Sequence, residues 1–231
     1  MKREHAVRVL AASELFQTVS EPRLLSLLEH CSSRTLAQSA PLFLQNEKES
    51  SLYMVLSGEV RIVASSPEGH ALFHRLIGVG EVFGEIALLD GGPRTAGAIA
   101  NQDAELLCIE RRTFLAFLEQ NPSAAIRLAA MLARRIRSTS ALLEDAIFLS
   151  ARDRVAKKLL ELARQRCPAG VRECMIEDLT HETLAAMTGL HRVSVTNQLK
   201  ELERSGLLRL ARRTVHIVRL PELEALCSAD G

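Results

Sequence analysis

Residues 84–96 read Gly-Glu-Ile-Ala-Leu-Leu-Asp-Gly-Gly-Pro-Arg-Thr-Ala. Gly84 lets backbone approach a ligand closely, and a single acid, Glu85, follows it. Ile86, Ala87, Leu88 and Leu89 make a short apolar turn, and Gly91-Gly92 forms a loop that calls for unusual backbone angles. The stretch closes on Arg94 and Thr95. A guanidinium fork beside a hydroxyl and the backbone N–H groups of a helix start suits a phosphate. A carboxylate is wrong for phosphate and right for a sugar hydroxyl, so Glu85 adds a ribose beside it. The competing reading is a tight surface turn between a strand and a short helix, with Arg94 solvated.

Upstream, the chain turns from helix to short strands. Leu10, Leu15, Phe16, Leu24, Leu25, Leu27 and Leu28 recur at helical spacing within residues 5–30, and Pro22 after Ser20-Glu21 marks a second helix start. From Arg34 onward, Pro41–Leu44, Leu52–Leu56, Val60–Val63 and Leu72–Ile77 are short apolar runs. The polar turn Gln45–Ser51, Ser57-Gly58, Ser66–Gly69 and the pair Gly78 and Gly80 separate or follow them. Together with Ala98–Ile109, this spacing predicts a compact antiparallel barrel or sandwich. Gly78-x-Gly80-x-x-x-Gly84 has the wrong spacing for a dinucleotide fingerprint and lacks a βαβ unit. His70 and His74, four apart, have no further ligand candidate beside them, so no metal site is expected.

Downstream, Arg111–Glu119 reads as a short helix, and Asn121-Pro122 as a cap and first turn. A long helix to about Ile147 follows, with Ala129, Leu132, Ile136, Leu143 and Ile147 in a three-four repeat. One narrow apolar stripe on a long helix predicts a dimer seam over residues 122–147. Ser138-Thr139-Ser140 interrupts it with hydroxyls, which cost stability there unless they find partners. Phe148-Leu149-Ser150 reads as a hinge. An amphipathic helix, Asp153–Gln165, ends at Pro168-Ala169-Gly170, and Val171–Ile176 is extended.

Residues 179–206 form the second informative segment. Thr180 caps a short apolar helix with Leu184, Ala185 and Met187, Thr188-Gly189-Leu190 turns, and His191–Arg204 makes a second helix with Val195, Leu199 and Leu202 inward. A small Ala four residues before a turn Gly, with Val six after it, is helix-turn-helix packing. Arg192, Val193, Ser194, Thr196, Asn197 and Lys200 face outward, and with Thr180 and His191 they are the candidate DNA contacts. Arg and Asn read base edges, and Ser, Thr and Lys reach phosphates. Leu207–Leu210 and Val215–Val218 form a hairpin with Arg212-Arg213 at its turn, a basic wing for the DNA backbone.

Residues 84–96 resemble the phosphate-binding cassette of cyclic-nucleotide-binding domains in the Crp/Fnr superfamily of transcription regulators. Leu52–Ile62 resembles that family's β-roll hairpin, and residues 179–206 its helix-turn-helix. The resemblance spans about residues 10–220 and implies an α+β fold: an N-terminal antiparallel β-roll (1–120), a long dimerisation helix with hinge (121–149) and a C-terminal winged helix-turn-helix (150–231). It implies that Arg94 and Thr95 take a cyclic phosphate and Glu85 the ribose 2′-OH. Gly84, Ile86 and Ala87 complete the cassette's candidate ligand contacts. Thr139 and Ser140, after Arg134-Arg135, fall where the family's helix touches the purine, the second hydroxyl coming from the opposite subunit, and Arg135 is a further candidate ligand contact. The implied partners are a palindromic double-stranded DNA operator, a second copy and RNA polymerase.

Two departures accompany the resemblance. The turn before Leu52 usually carries glycines where this chain has Asn46 and Glu49; Asn tolerates left-handed geometry and Glu does so poorly, so a reshaped loop is expected. The family's cAMP receptor branch has Arg-Glu-Thr-Val-Gly-Arg on its recognition helix, where this chain has Arg192 to Asn197 as Arg-Val-Ser-Val-Thr-Asn. Arg192 stays as a guanine reader, whereas Val193 suits a thymine methyl, so a different half-site is expected.

The remaining composition bounds the alternatives. The 231 residues are 47% hydrophobic with net charge +1, and residues 151–231 carry 14 Lys and Arg against 11 Asp and Glu. A mildly basic C-terminal part is compatible with nucleic acid. Five scattered cysteines without a Cys-x-x-Cys pair argue against a disulfide framework and for a reducing cytosol, and no signal or membrane segment is seen. A bacterial cytoplasmic regulator is therefore expected. Only Cys31 and Cys108 fall in the first domain, too few for an iron–sulfur cluster, and no haem ligand pair stands out. Cyclic AMP is the favoured effector. Cyclic GMP is its rival, because Thr95 can also face a guanine amino group, and a different or absent effector is the further alternative. A fused enzyme is excluded, since residues 151–231 offer no nucleophile–base set or metal spacing.

Overall fold

The computed structural model describes residues 3–65, 71–168 and 170–228, with backbone alone at Ser65, 71–74 and Ser228. The predicted turn Ser66–Gly69, His70 and Ala169 lie outside the described residues. The chain packs as two compact units, Met1–Arg137 and Ser138–Gly231.

In the first unit, helices α1 (Arg3–Ala12) and α2 (Glu21–Leu28) precede the strands, and α2 starts beside Pro22 as its sequence predicts. Strands β1 (Ser32–Leu36), β2 (Pro41–Phe43), β3 (Leu52–Ser57), β4 (Val60–Ser65), β5 (Ala71–Ile77) and β6 (Val82–Phe83) follow. Then come α3 (Glu85–Asp90), β7 (Gly97–Ala100), β8 (Ala104–Ile109), α4 (Arg111–Gln120) and α5 (Pro122–Phe148), which continues into the second unit. The strands form two antiparallel sheets, ordered β1-β8-β3-β6 and β2-β7-β4-β5.

Strand β3 explains why Leu-Tyr-Met-Val-Leu is apolar throughout. Leu52, Met54 and Leu56 pack with Leu10, Phe16, Leu24, Phe114 and Leu128 of the helical layer. Tyr53 and Val55 point the other way, into a core with Phe43, Val60, Ile77 and Phe83. Its partner β8 divides likewise, Leu107 and Ile109 to the helices and Leu106 and Cys108 to the second core. Strands covered on both faces lose polar alternation and read as continuous apolar runs.

Ala124 and Leu128 bury the start of α5, and Leu132 packs partly against the same core. Asn121 stands just before the first residue of α5, as expected, and its backbone carbonyl accepts from Ala124 N (2.9 Å). Its side-chain amide donates to Phe117 O (2.8 Å) and its Oδ1 accepts from Arg23 (2.7 Å), so the side chain serves the preceding helix. Beyond Leu132 the apolar stripe emerges: Ile136 is 67% exposed, and Leu143 and Ile147 are exposed to a similar degree.

The second unit contains α6 (Ala151–Arg166), β9 (Cys174–Ile176), α7 (His181–Thr188), α8 (Arg192–Arg204), β10 (Leu208–Ala211), β11 (Thr214–Ile217) and α9 (Leu220–Ser228). Ser150 caps α6 by accepting from Asp153 N at 3.3 Å. The sheet order is β10-β11-β9. Val155, Leu159, Leu184, Val195, Leu199, Leu202, Val215 and Ile217 share one core. The expectation of scattered reduced thiols is corrected here: Cys167, at the end of α6, is joined to Cys174 of β9 in a disulfide. The intervening loop returns the chain so that the Cα atoms stand 6.1 Å apart, within disulfide reach, which a spacing of seven residues does not announce.

The turn between β3 and β4 needs its glycine. Gly58 has φ +75°, and a Cβ there would meet Asp103 O at 2.0 Å. Gly58→Ala is expected to destabilise the first unit by about 1–3 kcal/mol, read as a lower urea midpoint with unchanged slope.

Candidate functional site

The cassette is built where β6 gives way to α3. Gly84 adopts φ +83° so that the chain can turn directly into the helix, and Gly91 ends it at φ +74°. Gly92, expected to need unusual angles as well, does not have a positive φ. A Cβ on Gly84 would meet Arg94 Nη1 at 2.4 Å and Ser51 O at 2.9 Å. The backbone therefore passes against the arginine without room for another carbon.

Arg94 is neither solvated nor an open fork. It is 2% exposed, and its guanidinium lies 4.1 Å from the Phe43 ring centroid and 5.5 Å from that of Tyr53. Its Nη1 donates to Gly84 O (2.9 Å) and its Nη2 to Ser51 O (2.7 Å). Both Nε (3.0 Å) and Nη2 donate to one oxygen of Glu49. The other Glu49 oxygen accepts from Ser51 N and Tyr53 Oη, both at 3.1 Å. Burial pushes the Glu49 carboxyl up, but hydrogen bonds from Arg94 and Ser51 and the charge of Arg94 outweigh it and hold its pKa below the ordinary carboxylate value.

The loop that carries Glu49 is clipped to the cassette backbone as well. Asn46 N donates to Arg94 O (2.8 Å) and Arg94 N to Glu47 O (2.9 Å). Of the two positions where glycine was expected, Asn46 takes left-handed geometry at φ 69° and Glu49 does not. Asn tolerates that conformation better than most residues with a side chain.

Glu85 is 4% exposed and ion-paired with Arg135 of α5, whose Nη2 also donates to Val82 O (2.8 Å). A carboxylate can accept about four hydrogen bonds, so this pairing does not exhaust Glu85. Ile86 and Thr95 are exposed and Ala87 is buried. Thr139 stands one helical turn beyond Arg135 on α5, and Ser140 follows it. Among the described residues no group of three His, Cys, Asp or Glu is placed to hold a metal ion, and no helix is long and apolar enough to cross a membrane.

The second candidate surface lies on α8. Val195, Leu199 and Leu202 anchor the helix in its core. The opposite side presents Arg192, Asn197, Lys200 and Val193, the last 70% exposed. Ser194 and Thr196 are half-buried. The Thr196 hydroxyl is engaged internally, with His181 Nδ1 (2.8 Å) and Arg192 O (2.9 Å). Thr180 caps α7 by accepting from Thr183 N (3.0 Å), and His191 occupies the cap position of α8. Arg212 and Arg213 stand exposed at the turn of the β10–β11 hairpin, where Arg213 has φ 58° and pairs with Asp178 at 3.4 Å. Glu49, His181 and Asp178 were not among the sequence candidates. The absence of glycine at 49 was the signal for the first, though it did not point to Arg94.

Residues 33–121 match the cyclic nucleotide-binding domain family, and residues 153–226 match the Crp-like helix-turn-helix domain. The cyclic AMP receptor protein of Thermus thermophilus is 36% identical over 94% of this chain and 98% of its own. A CRP-like cAMP-activated global transcriptional regulator of Mycobacterium tuberculosis is 30% identical over 90% of this chain and 94% of its own. The crystal structure of Thermus thermophilus catabolite activator protein superposes with TM-score 0.56 at 35% identity, covering 95% of this chain and all of that one. Two domains in this order define a DNA-binding transcription regulator rather than an enzyme. The chain belongs to the Crp/Fnr family of transcription regulators.

The His181–Thr196 contact ties α7 to the recognition surface. Burial, then the positive charges of Arg192 and Lys200, hold the His181 pKa below its ordinary 6.5. The folded unit thus favours neutral imidazole, and the unfolded chain binds more protons in between. The contribution is present above pH 6.5 and is lost as pH falls through the folded value. Urea unfolding at pH 7.5, 6.5 and 5.5 should show an acid-side loss of stability that His181→Gln makes shallower.

Proposed function

We propose that this protein is a homodimeric transcription regulator switched by a cyclic nucleotide, with cAMP favoured over cGMP. The observation that carries this is the junction of β6 and α3. A buried arginine and a buried acid, Arg94 and Glu85, stand at either end of the cassette, and Arg94 is hydrogen-bonded to the carbonyl of Gly84. Arg94 and Thr95 take the cyclic phosphate, and Glu85 the ribose 2′-OH. Ile86 and Ala87 complete the wall. Thr139 and Ser140 meet the purine, the second hydroxyl being supplied across the dimer, so that ligand and dimer are coupled through α5.

The working division is a sensor over 1–120, a dimerisation helix and hinge over 121–149, and a DNA-binding domain over 150–231. The dimer forms through residues 122–147, where Ile136, Leu143 and Ile147 are exposed on a single chain. Exposed residues at this spacing suit a helix–helix seam. Two copies of α8 then enter successive major grooves of a palindromic operator, with Arg192 and Asn197 on base edges and Lys200, Arg212 and Arg213 on phosphates. A cytoplasmic location and a contact with RNA polymerase complete the reading.

Calorimetric titration of the full chain with cAMP and with cGMP tests the sensor. Arg94→Ala should weaken binding by about 1.5–3 kcal/mol, tenfold or more, with circular dichroism confirming that the variant folds. Thr95→Val, at an exposed position, should weaken it less. Saturable binding of neither nucleotide by the wild type or its variants would refute the cyclic-nucleotide reading. Sedimentation equilibrium should give a dimer for the wild type and monomer for Ile136→Glu.

For DNA, an operator selected from random duplexes in the presence of the bound nucleotide should be palindromic. Arg192→Ala should then cost about 1–3 kcal/mol and relax preference at one base pair of each half-site. A uniform loss across all sequences would instead make Arg192 a phosphate contact.

A further inference from the structure

The groups that hold Arg94 are asymmetric in what they can do. Gly84 O and Ser51 O are backbone acceptors fixed by the turn, whereas Glu49 is a side-chain carboxylate on the surface loop between β2 and β3. Glu49 contributes the one anion in the set, and its two bonds from Nε and Nη2 fall on one edge of the guanidinium. That edge is what an anionic oxygen needs from a planar fork. Arg94 is locked by burial and by the Phe43 ring, while the Glu49 side chain is 30% exposed. If one partner of the pair leaves, it is Glu49.

We propose that Glu49 is an internal competitor for the nucleotide phosphate, occupying the anion seat of Arg94 and setting both the affinity and the anion selectivity of the site. The inference rests on the cyclic-nucleotide reading above. Binding exchanges one monoanion for another: the Glu49 carboxylate leaves Arg94 for water, and the phosphodiester takes its hydrogen bonds. The charge of the site is unchanged, so exchange avoids stranding a buried guanidinium without an anion. Ser51 N and Tyr53 Oη, which hold the second Glu49 oxygen, stabilise the occupied state and so weaken the ligand. A counter-ion with only a structural role would stabilise the fold without opposing the ligand, and this separates the two readings.

The test is calorimetric titration of cAMP and cGMP into the full-length wild type, Glu49→Gln, Tyr53→Phe and the double variant Glu49→Gln/Arg94→Ala. Glu49→Gln keeps the shape and removes the charge, and it should bind the preferred nucleotide at least tenfold more tightly than wild type. Tyr53→Phe removes one bond to Glu49 and should move affinity in the same direction by about two- to threefold. It also keeps the test alive should Glu49→Gln fail to fold. The double variant should lose the gain. Wild-type binding that Glu49→Gln leaves unchanged or weakens overturns the competitor role while leaving the nucleotide reading intact. Binding by no variant overturns both.

Discussion

The fold has taken the positive guanidinium of Arg94 out of water against the ring of Phe43. A buried charge is tolerated only where acceptors and an opposite charge surround it. Much of the local architecture follows from meeting that condition. Gly84 turns with a positive φ, so its carbonyl reaches Nη1 without a Cβ in the way. Ser51 offers its carbonyl from the entrance to β3, and the 44–51 loop is stitched to the Arg94 backbone by two further hydrogen bonds. Elements distant in sequence are thus drawn to one point by a single side chain.

The second acid of the region obeys the same rule by a different route. Glu85 is as buried as Arg94 is, but its counter-charge comes from α5. The two ion pairs keep the opposite charges of the cassette apart: Arg94 looks to the β2–β3 loop, and Glu85 looks to the helix. A direct Arg94–Glu85 pair would neutralise the cassette from within. Partners drawn from elsewhere satisfy each charge separately.

Much of this architecture was legible in the sequence. Strands β3 and β8 announced themselves because both faces are covered, and the helix-turn-helix did so because Ala185, Gly189 and Val195 meet a strict packing requirement. Strand β1, exposed along most of its length, and the two-residue β6 carry too little apolar pattern to be read as separate strands. The cassette residues were legible as types in a spacing, but their partners were not. Glu49 lies 45 residues from Arg94 in the chain, and only the returning sheet brings them together. Asn121-Pro122 was read rightly as the start of α5, but the partner of its side-chain oxygen, Arg23, is distant in sequence and was not legible. The Cys167–Cys174 bond was missed for the same reason, since chain reversal rather than spacing decides which thiols meet.

The grip of Arg135 on Glu85 has a mechanical side. Arg135 is held at Val82 and Glu85, and the helix that carries it runs on without a break to Phe148. The thirteen residues beyond it make a rod of about 20 Å. Pivoting such a rod by roughly 10° about its held point would sweep its tip through about 3.5 Å, a distance comparable to a base-pair step. In a helix held at one point, a small rotation there becomes a displacement that grows with distance along the helix.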